Sequence, residues 1–211
     1  MNPLNLIEGD VLFKFFHGSA IHWAIRTITS NEGSSSNFCH AAMYIGGGEI
    51  AESSGGGYRI AKLMNVGHNF NYFAFRTRES GLGLIAAQVI TTWVRMRPKS
   101  ADNVAGYSGG KKFGNYALGT AIVNAAKNYV DRDVKVKDGA GDKLWGQNGK
   151  PGLDSSYCSQ FVVQAYTAAG ATFSPATVPI KVAANRATPA MMHDSMSRDG
   201  RWEFLGSFLS K

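Results

Sequence analysis

Three consecutive glycines, Gly46-Gly47-Gly48, separate two strand-patterned runs, Phe38–Ile45 and Glu49–Ser53. Glycine reaches the positive φ that a tight reversal requires, so the pattern predicts a hairpin and hence antiparallel sheet. With the loop centred on Gly47, Ile45 faces Glu49, Ala42 faces Glu52 and His40 faces Ser54. Side chains alternate with period two, which places His40, Ala42 and Glu52 on one face. Glu52 is then a diagonal neighbour of His40, at a backbone spacing of roughly 7–8 Å that a long side chain can bridge. A slip of one residue would send Glu52 to the other face.

The remaining chain alternates strand and helix signals. Gly9-Asp10 reads as a turn feeding a strand over Val11–Phe16, with Asp10 serving the turn. Ser19 caps an expected helix over Ala20–Ile28, and Thr29–Asn37 reads as a loop. Ser54–Gly57 is a turn and Tyr72–Arg76 a further strand. Leu82–Met96 has helical periodicity and ends before Pro98, and Asn115–Tyr129 is an Ala-rich helix candidate. Val130–Leu153, rich in Lys, Asp and Gly, is expected to be a mobile surface loop. A helix-patterned run from Phe161 to Ala169, opened by Cys158, is expected to stop at Gly170. Thr188-Pro189 supplies a cap and a first-turn proline for a helix over Ala190–Met196, and Trp202–Leu205 closes as a strand. With 44% apolar residues, no internal repeat and no dividing linker, residues 1–211 are expected to form one α+β domain, an antiparallel sheet packed against helices.

Cys158 carries the most chemistry. A thiol in the first turn of a helix meets unpaired N–H groups and the positive end of the macrodipole, which favour the thiolate. A cysteine nucleophile needs a base and a group to hold that base. Of the five histidines, His40 is the one with a carboxylate expected across a hairpin. Cys39, the second of two cysteines, is expected to point to the opposite face of its strand as core packing. Two cysteines make no disulfide framework and fit a reducing compartment.

Gly9-Asp10-Val11-Leu12-Phe13, Cys39-His40-Ala41-Ala42-Met43-Tyr44-Ile45-Gly46 and Tyr157-Cys158-Ser159-Gln160-Phe161-Val162 together resemble the signature blocks of the NlpC-like papain-fold cysteine peptidases. The cysteine block comes last here, as in the circularly permuted branch. That branch includes lecithin:retinol acyltransferase-like proteins and some toxins delivered between bacteria. The resemblance implies a papain-like fold with Cys158 as nucleophile, His40 as general base and Glu52 as the residue orienting the imidazole. It implies amide hydrolysis in peptidoglycan stem peptides, with lipid-ester hydrolysis or acyl transfer as the alternative. It further implies an immunity protein and a dedicated secretion apparatus as partners, if the protein is a type VI effector. Gln160 stands where permuted members often carry an acidic residue. The backbone N–H of Cys158 is a natural oxyanion donor, and Tyr157, His17 and Tyr107 are candidates for the oxyanion or substrate-binding group.

Other signals are weaker. Gly81-Leu82-Gly83-Leu84-Ile85-Ala86 fits a dinucleotide pattern but reads as helix entry, so no cofactor is expected. No histidine pair has metal-ligand spacing, so no metal is expected. Phe70–Arg78 mixes aromatics with arginines as single-strand binders do, yet a half-buried strand explains it, and no nucleic-acid partner is expected. The net charge of +7 suits an anionic polymer and leaves a non-enzymatic basic binding module as a third reading. No apolar run approaches a transmembrane segment. The first ten residues lack a basic n-region, so a cytoplasmic start, or export without a cleavable leader into a target cell's periplasm, is expected.

Overall fold

In a computed structural model, the described residues are 2, 5–15, 37–54, 57–64, 70–95, 158–173, 178–182 and 187–210. The expected helices Ala20–Ile28 and Asn115–Tyr129, the loop Val130–Leu153 and residues His17, Tyr107 and Tyr157 lie outside them. The described elements are β1 (Val11–Phe15), β2 (Phe38–Gly46), β3 (Glu49–Ser54), β4 (Gly57–Lys62), β5 (Phe70–Thr77), α1 (Leu82–Arg95), α2 (Cys158–Phe173), α3 (Pro189–Arg198) and β6 (Trp202–Ser210). The strands form one six-stranded sheet in the order β4-β3-β2-β1-β5-β6. Every neighbouring pair is antiparallel. The protein is thus α+β, with the three described helices on one sheet face.

β1 explains its central position. Val11 and Phe13 enter the larger core, shared with all three described helices, while Leu12 enters a smaller cluster on the opposite face. A strand buried on both sides cannot tolerate polar residues in its middle, and Val11-Leu12-Phe13 has none. α2 is buried on nearly every side, through Phe161, Val162, Val163, Ala165, Tyr166, Ala168 and Ala169. It packs against α1, β2 and β3. The expected stop at Gly170 is corrected: Gly170 is buried and the helix continues through the exposed Ala171 and Thr172 to Phe173, with Thr172 Oγ1 donating to the Ala169 carbonyl. Glycine costs a helix interior about 1 kcal/mol relative to alanine, which lowers helix preference without ending a helix. No described helix is long and apolar enough to cross a membrane.

The hairpin register holds where the site needs it and differs at the turn. Ala42 pairs with Glu52, Met43 with Ala51 and Tyr44 with Ile50. Gly46, however, pairs with Glu49, so Ile45 does not face Glu49 and is the extra residue of an irregularity. The loop is the two residues Gly47 and Gly48, at φ of +60° and +73°, the left-handed pair that matches strand twist. Nor does His40 face Ser54: the β2–β3 pairing ends at Ala42–Glu52, while Ser53 and Ser54 stay with Tyr58 and Gly57 of β4. β4 itself has no counterpart among the sequence expectations, and β5 and β6 are longer than expected. The Gly81–Ala86 pattern serves close packing: a Cβ on Gly9, at φ +93°, would lie 2.2 Å from the carbonyl oxygen of Gly83.

Candidate active site

α2 is held at three points, two in its first turn and one at its middle. Ser159 Oγ donates to the Ala187 carbonyl just before α3. Phe161, one turn after Cys158, stacks on Tyr58 of β4 at 4.2 Å between ring centroids and tilts against Trp93 of α1 at 6.0 Å. Tyr166 Oη donates to the Gly9 carbonyl, which ties the helix to the turn before β1. In that turn Asp10 is fully buried, takes the Ile7 N–H at 2.9 Å and receives both arms of Arg76 at 2.8 and 2.7 Å. Asp10 therefore serves the turn as expected and also anchors β5. The result is that Cys158, the first residue of α2, sits where β2 and β3 part.

Sulfur meets three groups there. It hydrogen-bonds to the His40 imidazole and receives the backbone N–H groups of Ala41 and Ser159. The Ala41 amide lies just past the last β2–β3 pair. His40 Nε2 lies 2.7 Å from Glu52 Oε2, which leaves Nδ1 as the ring nitrogen for the sulfur. Glu52 Oε1 receives Arg59 Nε at 2.6 Å and its Nη2 at 2.5 Å. Arg59 is the β4 residue directly opposite Glu52 in register. Sulfur, imidazole, carboxylate and guanidinium thus form one line across α2, β2, β3 and β4.

The electrostatics follow from that line. Burial raises the Cys158 pKa, but the His40 charge, the hydrogen bond from its ring and the two backbone N–H groups together hold it below the ordinary thiol value. Burial lowers that of His40, and the Cys158 charge, its hydrogen bond and Glu52 overcome this and raise it to about 10. Burial likewise raises Glu52, yet the bonds and charges of His40 and Arg59 bring it down to about 2. Both shifts act in the same direction, toward a thiolate on Cys158 and an imidazolium on His40, beside a carboxylate held in its ionised form. A buried charge is tolerated only when paired and hydrogen-bonded, and each of these is.

Cys158, His40 and Glu52 are the three residues that the sequence placed together, and they converge. Cys39 is buried as expected, and it lies at an irregularity of the β1–β2 pairing. Lys14 pairs with His40 and Phe15 with Phe38, so Cys39 is the bulged residue between them. Its thiol donates to the Lys14 and Phe15 carbonyls at 3.5 and 3.8 Å, and burial raises its pKa to about 11. The bulge also resets the alternation, turning Phe38 into the larger core beside Phe13. His193 lies elsewhere, its ring packed against those of Phe13, Phe38 and Phe75. Two site groups escaped the sequence: the Ala41 amide, which any residue would provide, and Arg59, whose strand was not anticipated. Among the described residues no group of three or more His, Cys, Asp or Glu side chains could hold a metal ion. No family model matches the chain, and neither a curated protein nor a solved structure matches it.

Proposed function

We propose that this protein is a thiol hydrolase of papain-like, permuted NlpC-like type that cleaves an amide bond, with peptidoglycan stem peptides as its substrate class. The observation that carries the reading is the unbroken contact line from Cys158 sulfur through His40 to Glu52. In the reaction the thiolate attacks the amide carbon, and the oxyanion forms beside the Cys158 backbone N–H at the helix start. His40 Nδ1–H protonates the departing amine, leaving an acyl thioester. Neutral His40 then takes a proton from water as the oxygen adds, and collapse expels the thiolate with the carboxylic product. Glu52 stays ionised throughout, holding the ring by Nε2 and stabilising its cationic form. The +7 net charge supports an anionic envelope polymer as the neighbourhood of the substrate.

The first test is alkylation read separately at each cysteine by mass spectrometry. Iodoacetamide is expected to modify Cys158 at least about a hundredfold faster than Cys39 near neutral pH, because thiolate availability governs the rate. Equal and slow modification of both would refute the reading. Incubation of purified cell-wall fragments and of phospholipids, followed by product mass spectrometry, separates amide from ester chemistry.

Glu52→Gln keeps a hydrogen-bonding group but removes the charge. Since the carboxylate pushes His40 upward, its loss lowers the imidazolium pKa and moves the alkaline limb of the pH–rate profile downward from near 10. Turnover at neutral pH is expected to fall on the order of a hundredfold as the ring loses its orientation. An unmoved alkaline limb would mean that Glu52 does not act on His40.

A further inference from the structure

The side chain of Arg59 is half exposed, yet it spends two donors on one oxygen of a carboxylate that is 7% exposed. The two carboxylate oxygens are divided: Oε2 goes to His40 and Oε1 to Arg59. A carboxylate held by a single bond can rotate about its last torsion, and that torsion is broad. Held at both oxygens from neighbouring strands, it has one orientation, and that orientation sets the plane of the imidazole. Charge adds to the geometry. Thiolate, imidazolium, carboxylate and guanidinium alternate in sign along the line, so the four together carry no net charge.

Resting on the hydrolase reading above, we infer that Arg59 is a positioning residue that acts through Glu52, making the triad a four-membered relay whose fourth member lies on the sheet's edge strand. Arg59 touches neither the sulfur nor the ring in this geometry. Its effect reaches them by keeping Glu52 ionised and aimed. The titratable and charged groups around Glu52 among the described residues are Lys14 of β1, Cys39 and His40 of β2, Arg59 of β4, Tyr72 of β5 and Cys158 of α2. Lys14 is the other cation, but its ammonium sits 3.0 Å over the Phe70 ring. Among the described residues, His40 and Arg59 give Glu52 its hydrogen bonds.

Because the guanidinium is half in solvent, its charge is screened, and the fork geometry carries much of the effect. The test uses the full chain with Arg59→Met, Arg59→Lys, Glu52→Gln and the double variant Glu52→Gln/Arg59→Met. Cys158 alkylation is followed by site-resolved mass spectrometry over a pH series, with circular dichroism and a thermal melt to establish folding. Arg59→Met is expected to raise the acid limb of the Cys158 profile by roughly half a pH unit, below the ~1–3 units of a directly adjacent opposite charge, because the effect is relayed through Glu52. Arg59→Lys is expected to restore most of that limb but only part of the turnover, since lysine replaces the charge and not the fork. In the Glu52→Gln background, Arg59→Met is expected to change nothing further.

A folded Arg59→Met protein with an unmoved acid limb overturns the inference, as does an effect that persists undiminished without the Glu52 charge. Failure of the hydrolase reading has a different signature, because wild-type Cys158 would then react no faster than Cys39.

Discussion

Exchange of His40 for alanine is expected to reduce amide hydrolysis on the order of ten-thousandfold or more, to the floor that Cys158→Ala also reaches. The ring does two things at once. It supplies the proton that the leaving amine needs, and its charge is the largest influence holding the buried thiol in its ionised form. Without it, burial dominates and the thiol pKa rises, with only the Ala41 and Ser159 amides opposing. Cys158 alkylation near neutral pH should therefore slow together with turnover, which a purely structural histidine would not cause. The double variant His40→Ala/Cys158→Ala should be no worse than either single one, because members of one relay fail together. Hydrolysis followed by product mass spectrometry and alkylation read at Cys158 supply the two measurements. Turnover that survives His40→Ala would remove the ring from the chemistry.

Asp10→Ala is expected to destabilise the protein by about 3 kcal/mol, as removal of one partner from a buried ion pair does. The carboxylate has no solvent exposure and holds three donors, two from Arg76 and one from the Ile7 backbone. Removing it strands the guanidinium, which also bonds the Asn5 carbonyl at 2.8 Å. Arg76→Met in the same chain should recover part of the loss, because the stranded charge is then gone too. Chemical denaturation of the four members of this cycle gives the coupling. Cys158 in the folded fraction should alkylate at the wild-type rate, since Asp10 supports the turn beneath α2 and does not touch the sulfur. A loss below about 1 kcal/mol, ordinary for a surface substitution, would show that the pair carries little of the fold.

The site was legible in the sequence to the extent that it rested on local periodicity. Ala42 opposite Glu52 followed from counting outward from Gly47, and that pairing put Glu52 within reach of His40. The count succeeded although the turn differs, because Ile45 at the irregularity makes up for the shorter two-residue loop. Thr188 as a cap was equally readable: its side chain accepts the Met191 N–H at 3.2 Å, with Pro189 in the first turn. β4 was not readable, since Gly57–Lys62 is a short edge segment whose apolar residues gain strand character only beside β3. With β4 went Arg59, whose partner is visible only once the β3–β4 register is known. The irregularity at Cys39 was unreadable for a related reason, because nothing in the residues themselves announces a bulge.

Residue chemistry and short-range geometry belong to the sequence: which thiol opens a helix, which glycines can turn the chain, which carboxylate shares a face with which imidazole. Each follows from dihedral preferences and a two- or 3.6-residue repeat, both encoded over a few neighbours. The tertiary structure alone decided that β2 and β3 separate after Ala42–Glu52, that the first residue of α2 enters there, and that Arg59 closes the line from the edge. The entry of α2 depends on contacts between segments more than a hundred residues apart in the chain, such as Tyr166 with Gly9, while Arg59 depends on the β3–β4 register. Long-range packing of that kind selects among registers and helix ends that local preference leaves nearly equal in energy.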